Sequence, residues 1–336
     1  MGEYKQINYR THFTGIFLLF VLSVVTAFFC LKFGSADISF SQIFSALSGT
    51  NPDEATTKII SEIRFPRVLL AFAVGGGLSV AGAVFQAILM NPLAEPYILG
   101  ISSGGAFGAV LSFLLGLAFP GPQLLAFAGS FIVIMLVFIL GKRFGELESN
   151  VLLLTGVMVG AFFSAIILVF VTFLDSSLRS AVFWLIGNLA LADNDSLYYV
   201  VPVVFSVSVF LILNGQKFNV LAMGSESARR LGVNTKFLVN ISYILVSAMI
   251  GAIVSVSGII GFVGLLIPHV CRLVFGLDNR KIIPASFFVG AAYLMIADGI
   301  ARTIISPAEL PVGAVTALMG APIFIYLLRR RFNSVS

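Results

Sequence analysis

Charge is scarce in this sequence. Asp, Glu, Lys and Arg together make up 10% of its 336 residues, against about 25% in ordinary soluble domains. That scarcity excludes a soluble enzyme and a nucleic-acid binder. Only two cysteines are present, too few for a disulfide-stapled secreted domain. Cys30 and Cys271 stand near the ends of apolar runs that the topology below places at opposite faces, so free thiols are expected. Two histidines and fifteen scattered acids supply no cluster with metal-ligand spacing, and no metal is expected on this chain. A phosphate loop of the form G-x-x-x-x-G-K-[ST] is missing too. Lys142 follows Gly141, but Leu136 occupies the first glycine position and Arg143 the Ser/Thr position. Any ATP used must be hydrolysed by another chain. No DDxxD-like acid cluster or zincin motif appears, and the chain is not expected to be an enzyme.

What the sequence has instead is hydrophobic length, with 59% of residues apolar. About 20 apolar residues cross a bilayer core as a helix. Runs of that kind cover residues 11–31, 68–94, 149–174, 196–216, 282–297 and 310–328. Residues 96–141 hold two more, separated by Pro120-Gly121-Pro122, and residues 237–271 another two, broken at Gly258, Gly261 and Gly264. The first run is too long for a signal-peptide core and has no small-x-small cleavage site after it, so it reads as a retained helix. The expectation is an all-α integral membrane protein with ten transmembrane helices in one domain, residues 1–336. Basic residues then orient it. With the N-terminus inside, the inner segments hold fourteen of the twenty Lys and Arg, including Lys5, Lys217, Arg229, Arg230 and Arg329 to Arg331. The outer segments hold six: Lys32, Lys58, Arg64, Arg67, Arg179 and Arg302. The reading is N-in and C-in.

The polar connections carry the remaining signals. Residues 38–47 read as a short amphipathic helix on the outer surface. Phe183-Trp184-Leu185-Ile186-Gly187 reads as a re-entrant or interfacial piece, with the single tryptophan at headgroup level. Arg64 and Arg67 flank Phe65-Pro66 at an outer helix start, against the positive-inside bias. They either snorkel to headgroups or form, with Arg302, a fixed cationic patch for an acidic partner. The longest inner loop, residues 216–236, contains Ser225-Glu226-Ser227-Ala228-Arg229-Arg230-Leu231-Gly232. Ser225 is placed to cap a short helix, Glu226 suits its positive end, the arginines its negative end, and Gly232 its stop. This is either a solvated surface helix or one that lies in a groove of a soluble partner. Asp298 stands four residues before Arg302, the spacing of a local ion pair. His269 follows Pro268, with a freed carbonyl in reach. Asn91-Pro92-Leu93-Ala94-Glu95-Pro96 is a rigid inner connection, either a plain turn or part of a gate. Gly100, Gly104 and Gly108 make small-xxx-small pairs for close helix packing.

Taken in order, these segments resemble one family closely. The landmarks are Arg64-Phe65-Pro66-Arg67, Gly82 and Gln86 leading into Asn91 to Pro96, and Trp184-Leu185-Ile186-Gly187. Ala228-Arg229-Arg230-Leu231-Gly232 follows, then Gly261-Phe262-Val263-Gly264-Leu265-Leu266-Ile267-Pro268-His269, Ala297-Asp298, Arg302 and Glu309-Leu310-Pro311-Val312-Gly313. The sequence is similar to the permease subunits of bacterial ABC importers for ferric siderophores, haem and vitamin B12, across residues 38–331. It departs at Met90, where a basic residue often precedes Asn-Pro, and at Asn188, where serine is frequent.

The resemblance implies a vitamin B12 permease-like fold in the bacterial cytoplasmic (inner) membrane and a second permease copy as a homodimer. It also implies two ATPase subunits that hold ATP and Mg, an outer substrate-binding protein, and no cofactor on this chain. By the same resemblance Arg64, Arg67 and Arg302 receive the binding protein. Glu226, Ala228, Arg229, Arg230, Leu231 and Gly232 contact the ATPase within a cytoplasmic coupling loop, and Asn91 and Leu93 help close the inner gate. Among the cargoes, a ferric siderophore ranks first, with haem or cobalamin as the alternative. The expected mechanism is alternating access. On the patch reading, reversing charge at Arg64 and Arg67 is expected to weaken docking and leave the fold intact. The competing class is an ion-coupled secondary transporter, for which only His269 and Asp298 offer intramembrane ionisable groups.

Overall fold

A computed structural model describes residues 9–34, 36, 38–50, 53–143, 146–174, 177–190 and 194–333. In chain order, α1 is Tyr9–Lys32, α2 Phe40–Leu47 and α3 Glu54–Lys58, which continues through one π-type turn, Ile59–Arg64, into α4, Phe65–Ile88. A 3-10 turn at Pro96–Leu99 leads into α5, Ile101–Leu114, and α6 is Gly121–Leu140. Two-residue strands β1 (Lys142–Arg143) and β2 (Glu146–Leu147) pair antiparallel before α7, Ser149–Val171. The remainder is α8 Leu178–Ile186, α9 Asn194–Leu213, α10 Gly215–Leu221, α11 Ser225–Arg230, α12 Thr235–Ser257, α13 Val263–Phe275, α14 Asn279–Thr303 and α15 Val312–Asn333. Lys5, one of the inner basic residues counted above, lies outside the described residues.

Among the described residues, seven helical segments are long and apolar enough to cross a membrane, and three shorter apolar helices, in α5, α13 and α15, accompany them. Each expected apolar run falls on one of these helices. The turn at Pro120-Gly121-Pro122 and the break after Ser257 stand where the glycines and prolines place them.

Hydrophobicity all round a helix is stable only where protein or lipid covers every face. Both cases occur here. The span ending in α4 has 89% of its most apolar window buried within the protein, while the corresponding windows of α1 and α7 are only 17% and 22% buried. Leu18, Phe17, Phe162 and Leu168 are among the apolar side chains left open on those two helices. So α4 is the axis of the bundle, and α1, α6, α7 and α9 form its apolar outer surface. This is a multi-pass membrane protein.

Close packing on α4 comes from missing side chains. A Cβ at Gly82 would sit 1.8 Å from the carbonyl oxygen of Gly264 on α13, and one at Gly75 would sit 2.3 Å from that of Gly290 on α14. The Gly104 and Gly108 pair packs on α6 in the same way, against the carbonyls of Gly129 and Leu125. These are backbone-to-backbone crossings that only glycine permits.

The short surface helix appears as α2, capped by Ser39 and Gln42 in a reciprocal capping box. Trp184 is buried within the protein, because α8 is drawn into the bundle. Asn188 N–H donates to the Ser257 carbonyl at 2.8 Å, and Gly313 N–H donates to that of Gly187 at 3.3 Å. Gly187 and Gly258 both have positive φ, and each closes onto the other's segment.

Candidate functional site

The C-terminus of α1 ends inside the bundle, which leaves its last carbonyls short of amide partners. Two arginines supply them. Arg64 donates from Nη1 to the carbonyls of Leu31 and Lys32, both at 2.8 Å, and from Nη2 to that of Ala36. Arg302 donates to the carbonyls of Phe33 at 3.1 Å and Cys30 at 3.3 Å. Cations at a helix C-terminus also oppose its dipole.

Between them lies a buried ionic knot. Asp298 is fully buried. It pairs with Arg302 at 3.0 Å, as the i,i+4 spacing implies, and with Arg67 at 2.9 Å, which the spacing does not. Arg67 reaches on to Glu309 at 2.8 Å, and that carboxylate is 40% exposed. Thus one knot joins the end of α1, the start of α4, the end of α14 and the turn before α15.

The three arginines therefore do come together at one end of the bundle, but not as an open patch. They are only 4–5% exposed and are bonded within the chain. This corrects one expectation: reversing charge at Arg64 and Arg67 would not spare the fold, because each buried guanidinium would give way to a buried carboxylate facing carbonyls or other acids. Glu309 is the participant that sequence reasoning missed. It stands within one of the family-like segments, but its partner lies 242 residues away.

At the opposite end, α4 gives way to the Asn91 loop. Met90 takes a left-handed φ of 49°, and Asn91 Oδ1 accepts the Leu93 N–H at 2.9 Å, forming an Asx turn. Leu93 and Met90 are about half exposed. A cavity of about 540 Å³ opens beside this loop, lined by Met90, Pro92, Ala222, His269, Arg272 and Asn279 among others. Its wall thus joins the Asn91 loop to the start of the 216–236 segment and the end of α13. His269 makes an edge-to-face contact with Phe324 on α15.

The segment itself folds as α10 and α11. Glu226 lies in the first turn of α11 and Arg229 and Arg230 in the last, and Gly232 has φ +82° just past its end. The cap differs: Gly224 occupies the N-cap position and Ser225 is already helical, with no side-chain capping bond. Glycine supplies the φ of 101° that this entry needs. Ala228 is fully buried beneath the helix, Leu231 is exposed, and Arg230 and Glu226 pair at 2.7 Å in open solvent. A second, smaller cavity of about 220 Å³ lies between Ser225, Arg229 and Thr235 on one side and Leu89, Met90 and Glu148 on the other.

The segment is anchored to the bundle through Asp278. This carboxylate caps α14 through Arg280 N–H at 3.0 Å and accepts from Asn219 of α10 at 2.6 Å. Burial pushes its pKa up, but hydrogen bonds from Arg280 and Asn219 outweigh that and hold it at about 2.

A polytopic helical bundle with an ionic knot at one end, and a surface helix beside a re-entering loop at the other, is the build of a membrane transport subunit. The chain belongs to the FecCD transport family, whose model matches residues 20–330. It is 39% identical to the vitamin B12 import system permease protein BtuC of Citrobacter koseri, covering 80% of this chain and 82% of that protein. It is 34% identical to the molybdate import system permease protein MolB of Haemophilus influenzae, covering 94% and 96%. A solved structure of an ABC transporter described as of metal-chelate type, in an inward-facing conformation, superposes with a TM-score of 0.85 at 32% identity, over 94% of this chain and 99% of that one. The chain is therefore an ABC importer permease subunit, a transport component and not an enzyme.

Proposed function

We propose that this permease crosses the bacterial cytoplasmic membrane ten times, N-in and C-in, and passes a metal chelate inward by alternating access. A ferric siderophore is the first-ranked cargo, with haem or cobalamin next. Two copies form the path as a homodimer, two separate ATPase subunits bind ATP and Mg, and a substrate-binding protein delivers cargo at the outer face. The observation that carries this reading is the placement of α11. It is a short charged surface helix whose base shares a cavity with the end of α4, next to the Asn91 loop. α11 packs on α10, and α10 packs on α4, so a push on α11 is passed through α10 to the helix that leads into Asn91 and Leu93, the residues assigned to the inner gate. Glu226 and Ala228 to Gly232 are assigned to the ATPase contact.

The docking assignment of Arg64, Arg67 and Arg302 takes a specific form. Carboxylates of the binding protein reach this arginine end at Arg67, where they compete with the partly exposed Glu309 for a guanidinium that is already positioned. Such charge pairing chiefly sets encounter rate and orientation. An apolar path suits a pre-wrapped chelate, since no strong ligand along it retains the cargo. The MolB relative widens the test, because its named cargo is molybdate.

The experiment is affinity purification of the tagged chain from its host, then an ATPase assay in lipid vesicles. A co-purifying ATPase, stimulated by a binding protein and driving uptake of a ferric chelate, is the expected result. A stable chain with no ATPase partner and with uptake driven by a proton gradient would overturn it. Stimulation by molybdate-loaded rather than chelate-loaded binding protein would overturn the cargo alone.

A further inference from the structure

The break between α12 and α13 leaves backbone donors without helical partners. Two of them are satisfied from a distant loop. Ile260 N–H donates to the Tyr97 hydroxyl oxygen at 3.2 Å, and Phe262 N–H donates to Glu95 Oε1 at 2.9 Å. Phe262 holds a left-handed φ of 68°, a conformation that a bulky residue keeps only when its surroundings fix it. Both acceptors belong to the stretch that carries Asn91 and Leu93 into the 3-10 turn.

The same stretch is tied to α13 a second time, through Gln86 near the end of α4. Gln86 Nε2 donates to the carbonyls of Ala94 at 3.2 Å and Gly264 at 3.5 Å, while its Oε1 accepts from Arg272 Nη1 in the last turn of α13. Pro96 packs directly on Gly264, where any Cβ would come within 2.6 Å of its ring. Hence the loop grips α13 at its start through Glu95 and Gly264, and at its end through Gln86 and Arg272. A loop held at both ends of a helix does not move independently of it.

We infer that Glu95 is a positioning residue of the transport cycle: its carboxylate fastens the Asn91–Leu93 gate to the α12–α13 break, so that gate and α13 shift as one body. This rests on the importer reading, in which Asn91 and Leu93 close the path. The requirement is for an acceptor at this point, so an amide oxygen should serve where a methyl group does not.

The test uses the complete complex, with its ATPase subunits, in lipid nanodiscs. Leu93→Cys is labelled with a charged, membrane-impermeant maleimide, with and without Mg and a non-hydrolysable ATP analogue. The native Cys30 and Cys271 are both buried. With Glu95 intact, the two nucleotide states are expected to label at rates that differ severalfold. Adding Glu95→Ala is expected to reduce that ratio at least threefold, and Glu95→Gln to keep it within about twofold of the Glu95 chain. An unchanged ratio in Glu95→Ala, with or without a lowered melting midpoint, overturns the proposal and leaves Glu95 a purely structural residue. Should Glu95→Ala fail to assemble, Glu95→Gln decides: a ratio collapsed to one in an assembled complex also overturns it. Equal labelling in both states with Glu95 intact instead sinks the gate assignment itself, so the two failures are separable.

Discussion

Asp298→Asn tests how far the ionic knot is insulated from water. The substitution keeps the shape of the side chain and removes one charge. In the native chain the carboxylate lies 2.9 Å from Arg67 and 3.0 Å from Arg302. Unit charges centred about 4 Å apart attract by about 4 kcal/mol at an effective dielectric near 20. Two such attractions are offset in part by repulsion between the guanidiniums and by the cost of burying all three groups. The net value of the intact knot is accordingly small, but the cost of breaking it is not. Taking away the shared anion leaves Arg302 with carbonyls alone and Arg67 with Glu309 alone, and removing one member of a buried pair costs about 3–5 kcal/mol. Glu309→Gln is the internal control. Its carboxylate touches the same Arg67 but is 40% exposed, where water replaces the lost partner, so about 1 kcal/mol or less is expected. The assay is unfolding of each purified variant in nanodiscs, compared with the wild-type chain at matched lipid and salt. A double-mutant cycle between Asp298 and Arg302 isolates the pair. If Asp298→Asn costs no more than Glu309→Gln, or the cycle gives no coupling, water reaches the knot and the reasoning from burial is refuted.

Four other outcomes follow from the same geometry. Glu309→Gln should also make the arginine end more positive by one charge and speed binding-protein association at low salt, a gain that fades above the Debye-screening range; stopped-flow association at two ionic strengths reads it. Asp278 has its pKa depressed to about 2 from about 3.9, so its tie between α10 and α14 contributes fully above about pH 4 and is lost as pH falls through about 2. Asp278→Asn should cost about 1 kcal/mol at pH 7 after allowance for solvent screening, and flatten the acid limb of a stability–pH curve. Gly82→Ala places a methyl 1.8 Å from the Gly264 carbonyl, so α4 and α13 must part; a stability loss of about 1–3 kcal/mol or more is expected, read as a lowered melting midpoint. Arg230→Ala removes only an exposed pair worth about 0.3–0.5 kcal/mol, so unfolding should be nearly unchanged while ATPase stimulation falls, if α11 is the coupling contact.

Helices were legible in the sequence because each is announced locally. Charge-free runs mark α1, α4, α7 and α9; prolines and glycines mark the turn before α6 and the break after α12; opposed charges mark the two ends of α11. The small-residue spacing in α5 likewise announces a close crossing, which the Gly104 and Gly108 contacts with α6 realise. All of these signals act within a few residues of the structure they determine.

The site was legible only in part, and the missing half is long-range. Arg64, Arg67 and Arg302 read as a patch because the only acids within four residues of them are Glu62 and Asp298, and neither is that near Arg67. Arg67 finds Asp298 from 231 residues away, and Glu309 from 242. Trp184 reads as a surface anchor for the same reason, since the α8 helix that carries it packs on α5 and α15, both distant in sequence. Glu95 reads as one more loop acid, until the α12–α13 break, 167 residues on, presents it with an amide. In each case the residue type records a need that the local sequence leaves unmet. A charge inside a chain with 10% charged residues is costly unless paired. Arg67 and Glu95 are therefore better read as demands for a distant partner than as surface groups, and the partners they find join the ends of helices that the sequence itself shows only one at a time.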